Sequence, residues 1–304
     1  MPVSMNAEGS DTRAARALLA FWRAAGVDMD DAEAIYAAGP ISPPVQGGSV
    51  GRKAPDDGGR RPLSRPAPRS DSSRSAASDF TVRDREAIPR GGGSSAIDGA
   101  RALAAAAKTV AELRAAVESF TGCGLKTTAR TTVFSDGAED ARVLLIGEAP
   151  GKEEDEQGKP FVGRSGQLLD RMLAAIGLDR RKNLLISNTI YWRPPGNRPP
   201  TQGETAACLP FCERLIELKQ PDLLILAGGV AAQTVLKREE GVMRMRGRRL
   251  VYNREGLPTP VNTMVMLHPA YLLRRPQEKR VAWGDLLLLE SWLNDLGVER
   301  ASHV

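Results

Sequence analysis

The chain has 304 residues, with 42 Lys and Arg against 37 Asp and Glu, and 41% of its residues are hydrophobic. Three cysteines exclude a disulfide framework, no apolar run is long enough to span a membrane, and Met1 to Asp11 lacks a signal-peptide pattern, so a soluble, cytoplasmic protein is expected. The net charge of +5 is compatible with a polyanionic partner without requiring one; residues 1–95 hold 13 basic and 12 acidic side chains, so most of the surplus lies beyond them.

Composition divides the chain into three. Residues 1–39 carry short helical patterns, one at Ala17-Leu18-Leu19-Ala20-Phe21-Trp22 and another around Ala32 to Ala37, an appendage suited to docking on the main domain or on a protein partner. Residues 40–95, with Pro43-Pro44, Gly47-Gly48, Gly58-Gly59 and Gly91-Gly92-Gly93, read as a disordered linker. Residues 96–304 have the apolar periodicity of a globular domain, and a monomer is expected.

Within that domain a helix is predicted over Val110–Ser119. Short apolar runs follow at Val143–Ile146, Leu184–Ser187, Leu223–Ala227 and Val261–Met266. Between and after them, helical period recurs near 165–176, 203–219, 230–237 and 282–296, and an irregular basic stretch over 238–258 suggests a short hairpin. Alternating strands and helices predict an α/β fold, a three-layer α/β/α sandwich around a central four-stranded parallel sheet.

The most informative stretch runs from Arg142 to Leu173. A strand buried on both faces breaks at Gly147-Glu148-Ala149-Pro150-Gly151, and an acidic loop from Lys152 to Gly166 with one aromatic, Phe161, precedes a helix. The turn is not a phosphate loop. Three residues, not four, separate Gly147 from Gly151-Lys152, and Glu153 follows where Ser or Thr is needed. A loop this long in a βα unit points to a site.

Open parallel sheets bind ligands beyond the carboxyl ends of their strands. The residues there are Gly147-Glu148, Asn188, Gly228-Gly229 and His268-Pro269: an acid, an amide, bare backbone and an imidazole on one edge. Singly, Glu148 or Asn188 could be a cap and His268 a satisfied buried histidine. Four at four strand ends are expected to form a catalytic mouth.

These segments carry a resemblance. GEAPG with EDEQGKPFVGRSGQLL, then ISNTIYWRPPGNRPPT, then MLHPAYLLRRP resemble the family-4 uracil-DNA glycosylases over roughly Phe120 to Leu296. The resemblance implies hydrolysis of the N-glycosidic bond of uracil in DNA, with uracil-containing DNA as partner and an abasic site as product. It implies Glu148 and His268 as catalytic groups, the first positioning water or stabilising charge on the sugar and the second donating to the charge that develops on uracil. Asn188, Phe161, Glu154 and Gly147 would bind the base, Asn188 by the donor and acceptor of its amide and Phe161 by stacking. Leu272 or Leu273 would wedge into the base stack, with core packing as the alternative, and Arg274, Arg275, Arg193 and Arg198 would meet phosphates. Arg244, Arg246, Arg248 and Arg249 could track the strand or simply form a solvated face. His303, the other histidine, stands at the C-terminal end of the sequence and is no rival.

The sequence departs from the family at the iron–sulfur cluster that the resemblance implies. Cys123 and Cys208 match two of four ligands, while Phe120 and Trp192 stand at the other two with both spacings intact. Two matching thiolates cannot make a four-thiolate cage. Cys212, one helical turn beyond Cys208, offers at most a three-thiolate rescue, and no cofactor is expected. Rival readings are a non-catalytic sensor of uracil or damaged DNA, and a glycosylase of broader deaminated-base range.

Overall fold

Strict alternation within four short strands builds two hydrophobic layers, one on each side of a single sheet. The computed structural model describes residues 92–301. In β2 (Val143–Gly147), Leu144 and Ile146 point into one layer, and Val143 and Leu145 into the other. The same division holds for Leu185 against Leu184 and Ile186 in β3 (Leu184–Asn188), and for Leu224 and Leu226 against Leu223 and Ile225 in β4 (Leu223–Ala227). It recurs for Val265 against Met264 and Met266 in β6 (Val261–Met266). Period-two alternation with apolar residues on both faces is what a doubly covered parallel sheet requires.

With a short strand added at each edge, β1 (Ser135–Gly137) and β5 (Leu250–Tyr252), the strand order is β1-β3-β2-β4-β6-β5. The four central strands are parallel, as predicted, but the two short edge strands are antiparallel, β1 beside β3 and β5 beside β6. Three residues each leave too little pattern to be read as strands. The expected self-contained hairpin over 238–258 is instead a short helix, α7 (Val242–Met245), followed by β5, which pairs with β6.

One layer contains α1 (Gly92–Ala106), α2 (Val110–Ser119), α5 (Gln202–Lys219) and α6 (Gly229–Leu236). The other contains α4 (Arg164–Ala174), α8 (Pro269–Arg274) and α9 (Lys279–Asp295). The sequence reading placed the domain boundary after residue 95, but α1 begins at Gly92 and packs through Ala100 and Ala104. Its alanine-rich face has no large apolar periodicity to announce it. The expected helical appendage over 1–39 and nearly all of the expected linker lie outside the described residues. Among the described residues no helix is long and apolar enough to cross a membrane.

An aromatic group fills the layer beneath α2 and α5. Phe120 stacks edge-on to Phe211 at 5.1 Å between ring centroids and lies 6.5 Å from Trp192, while Tyr191 meets Phe211 at 6.4 Å. The Trp192 indole N–H donates to Thr132 Oγ1 at 3.0 Å, so the large ring is buried with its polar handle satisfied. Phe211 is fully buried at the centre of this group. Phe211→Ala should therefore cost about 3–5 kcal/mol, read as the loss of unfolding free energy in urea with an unchanged m-value.

Candidate active site

The pairing of β2 and β3 continues past the ends of both strands. Gly147 lies in register with Asn188, Thr189 N–H donates to Gly147 O at 2.9 Å, and Ile190 N–H donates to Glu148 O at 3.0 Å. The Thr189 hydroxyl also donates to Glu148 O at 2.8 Å. The backbone of the acid and that of the amide are thereby locked side by side.

Asn188 is buried, and its Oδ1 accepts no hydrogen bond. An unpaired buried amide oxygen costs about 1–3 kcal/mol, which a ligand N–H would recover. Gly147 explains why the site stays open. A Cβ there would stand 2.5 Å from both Asn188 Oδ1 and the tip of the Phe161 ring, so glycine alone leaves the amide and the ring their places. Glu148 is half-buried; burial raises its carboxyl above the ordinary range, and among the described residues no side chain or amide donates to it.

Phe161 comes from the long loop, which is more ordered than its composition suggests. Lys152–Gln157 form a short helix, α3, stopped by Gly158 in the left-handed conformation. Glu154, expected at the base, has both oxygens engaged within the loop. Oε2 accepts from Gly151 N–H at 3.1 Å, and Oε1 accepts from Val162 and Gly163 N–H, each at 2.9 Å. Its carboxylate folds the loop that presents Phe161. Asp155 does similar work next to it, accepting from Arg130 and Thr131 N–H at 2.8 and 3.3 Å.

His268 follows β6 and caps α8. Ala270 N–H donates to Nδ1 at 3.1 Å, so the proton of the neutral ring sits on Nε2. Desolvation among neighbouring atoms, assisted by the positive charge of Arg274, lowers its pKa to about 4. The imidazole is neutral at physiological pH and presents a single N–H donor. Its ring lies 5.5 Å from that of Phe161, and behind it Gly228 leaves only 3.1 Å between a would-be Cβ and His268 Cβ. Gly147, Glu148, Asn188, Phe161 and His268 thus share one edge of the sheet.

The surroundings separate residues that the sequence could not. Leu272 is fully buried on the inner face of α8, whereas Leu273 is 39% exposed, so of the two expected wedges only Leu273 can reach a base stack. Arg274 and Arg275 beside it are exposed and have no ion-pair partner among the described residues. Arg193 donates to Asn197 Oδ1 at 2.8 Å. Arg198 makes a two-pronged pair with Glu204 at 2.6 and 2.9 Å, and Glu204 also completes the N-terminal cap of α5 with Thr201; this arginine holds its own loop. Arg246 is bound to buried Asp285, Arg249 pairs with Asp295 over the Trp292 ring, and Arg248 faces Glu240 at 4.0 Å, which leaves Arg244, exposed like Arg248 and Arg249, as the member of that group without an ion-pair partner among the described residues. Sequence reasoning missed Arg180, whose guanidinium donates to the Pro160 and Phe161 carbonyls. It lies in an Asp179-Arg180-Arg181-Lys182 run that reads as solvated charge.

The residues around the would-be cluster do not fit a four-thiolate group. Phe120 and Trp192 occupy two ligand positions with packed rings, and the buried thiols of Cys123 and Cys208 interact with one another, which raises the Cys208 pKa and holds that of Cys123 below its ordinary value. Cys212 is buried apart, its pKa raised by desolvation, and among the described residues no three His, Cys, Asp or Glu side chains group as metal ligands.

Residues 134–287 match the sequence profile of the uracil DNA glycosylase superfamily. The chain is 38% identical over 159 residues to a type-4 uracil-DNA glycosylase of Archaeoglobus fulgidus, covering 51% of this chain and 78% of that protein. It is 34% identical over 186 residues to the type-4 uracil-DNA glycosylase of Thermotoga maritima, covering 60% and 93%. A third such enzyme, from Pyrobaculum aerophilum, is 33% identical over 181 residues, covering 58% and 91%.

The lowered pKa of His268 has a consequence for stability. An unfolded histidine titrates near 6.5 and the folded one near 4, so between those values the unfolded chain holds the extra proton. The contribution is fully present above pH 6.5 and is lost as pH falls toward 4, amounting to about 3 kcal/mol at most. Denaturant melts at a series of pH values should show a steeper fall across this window for the wild type than for His268→Asn.

Proposed function

The chain belongs to the uracil-DNA glycosylase superfamily and stands with its type-4 members, and from that premise we propose that it excises uracil from DNA, leaving free uracil and an abasic site for repair. The observation that carries this reading is the orphaned Oδ1 of Asn188, held beside the Phe161 ring across the gap left by Gly147. Uracil presents an N–H donor next to a carbonyl acceptor, and an amide meets both, with Oδ1 accepting from N3–H and Nδ2 donating to O4. Cytosine reverses that pattern and would leave the buried oxygen facing an acceptor, a mismatch worth several powers of ten in selectivity. A base inside a duplex must be flipped out to reach such a pocket, and Leu273, with Arg274 and Arg275 beside it, is suited to fill the vacated stack and hold the phosphates.

In the chemical step a water oxygen bonds to C1′ of the deoxyribose while the C1′–N1 electron pair leaves with the base. The negative charge spreads over the uracil ring, and the Nε2–H of neutral His268 donates to it. A neutral donor suits this purpose, because an imidazolium would bind the anion but would be costly to keep in so desolvated a place. Glu148, unpartnered and with a raised pKa, accepts the proton of the attacking water and offsets positive charge on the sugar. Glu154 acts at one remove, by folding the loop that carries Phe161.

The same reading includes activity without an iron–sulfur cluster. The aromatic group around Phe120, Trp192 and Phe211 fills volume and supplies the cohesion for which a cluster would otherwise be needed, and every group assigned to the reaction lies elsewhere.

Incubation with a uracil-containing oligonucleotide, without added metal, should yield alkali-labile sites, and His268→Ala should slow single-turnover excision by roughly 100-fold. The rate should fall at low pH with a midpoint above the ordinary glutamate value of about 4.3, and that limb should vanish in Glu148→Gln. A wild-type protein that binds the oligonucleotide without cleaving it would instead be a sensor. Purified protein should be colourless and iron-free by absorption and elemental analysis; a brown, iron-containing sample would overturn the cluster-free reading.

A further inference from the structure

Phe161 is the one site residue held in a conformation its chemistry disfavours. Its φ of +53° lies in the left-handed region, which costs a non-glycine residue about 1–2 kcal/mol. Such a conformation persists only where the surroundings impose it.

Two charged side chains grip the single peptide unit that follows it. On one side the Phe161 carbonyl accepts from the Arg180 guanidinium at 2.7 Å; on the other the Val162 N–H donates to Glu154 Oε1 at 2.9 Å. The floor is rigid as well. A Cβ on Gly166, in the first turn of α4, would fall 1.9 Å from the Phe161 carbonyl oxygen, so helix and peptide are already in contact.

Arg180 is committed in full. Nε donates to Asp170 Oδ1 at 3.0 Å, one terminal nitrogen to Asp136 Oδ2 at 3.1 Å and Pro160 O at 2.9 Å, and the other to Phe161 O at 2.7 Å and Asp170 Oδ1 at 2.8 Å. Five N–H groups make five hydrogen bonds, on a side chain only 13% exposed. Two carboxylates from separate elements, β1 and α4, fix the plane of the guanidinium, and the fixed plane aims its remaining donors at two successive carbonyls. This is more structure than is needed to close a turn, and the residue it fixes is the ring 2.5 Å from the would-be Cβ of Gly147.

We propose that Arg180 is a positioning residue for base recognition: by clamping the Pro160–Phe161 carbonyls it holds the Phe161 ring at the stacking face of the pocket. The proposal rests on the uracil-excision reading. Lysine cannot replace it, because one ammonium with three donors cannot span two carboxylates and two carbonyls at these angles.

The test separates recognition from folding. Wild type is assayed first for uracil excision; absence of activity there would sink the functional reading itself, independently of Arg180. Inhibition by free uracil, KM, and the single-turnover rate at saturating DNA are then measured for Arg180→Lys, Arg180→Ala, Phe161→Ala and Arg180→Ala/Phe161→Ala, each well below its own melting temperature. A lost base stack corresponds to about 5- to 150-fold, so the Arg180 variants should bind free uracil weaker by up to that factor, with KM raised and the saturated single-turnover rate changed less. Arg180→Lys should fall nearer to Arg180→Ala than to wild type. The decisive result is the double variant, which should bind uracil no more weakly than Phe161→Ala alone, because Arg180 acts through that ring. Unchanged uracil inhibition in both Arg180 variants, or fully additive losses, would overturn the proposal. So would failure of both Arg180 variants to fold, which would assign the residue to the core.

Discussion

The site depends on a parallel strand pair that does not stop where its strands do. Beyond Gly147 and Asn188 the backbones of β2 and β3 go on exchanging hydrogen bonds, through Thr189 N–H to Gly147 O and Ile190 N–H to Glu148 O. Side chains that leave a sheet edge normally belong to loops and move with them. Here the carboxylate and the amide leave from backbone that is still paired, so their separation is set by sheet geometry. That rigidity keeps Asn188 Oδ1 desolvated and unpartnered without letting it collapse onto a neighbour. An amide free to turn would satisfy itself with a neighbouring donor.

Around this fixed pair the other groups are held by progressively longer connections. His268 is placed by the end of β6 and oriented by one amide of the helix it caps, which also sets its tautomer. Phe161 sits farthest from the sheet along the chain, and its conformation is the least favourable, so it needs the most bracing. Glu154 supplies some of it from the same loop, and Arg180 the rest from the turn before β3. Buried charges serve here to hold backbone in place, and each is repaid by several donors or acceptors, as desolvation demands. The two buried carboxylates of α3, Glu154 and Asp155, belong to this scaffolding.

In the opposite layer, packed rings occupy two of the positions at which the resemblance places cluster ligands. Phe120 and Trp192 meet Phe211 and Tyr191 in edge-on and tilted contacts, with polar edges either bonded, as at Trp192, or sealed from solvent. Cys123 and Cys208 remain as a pair of small buried groups whose thiols interact. None of the side chains assigned to the pocket takes part in this packing, so this layer could change its chemistry while the strand-end residues kept theirs.

The amino-acid sequence by itself determined the four parallel strands, the helices between them and the residue at each strand end, because buried strands and amphipathic helices write their periods directly into the chain. It also determined that Phe120 and Trp192 break a four-cysteine pattern, a fact of spacing alone. It could not show α1, whose small residues carry little pattern, nor β1 and β5, too short to alternate visibly. Nor could it separate Leu272 from Leu273, or a free arginine from Arg198 or Arg246, each occupied by a carboxylate of its own chain. Adjacent leucines are equivalent as letters and differ only in which way a helix turns them. The same holds for Arg180 and Glu154: their work is done across 19 and 8 residues of chain to the backbone around Phe161, and only the folded chain brings those atoms within hydrogen-bonding distance.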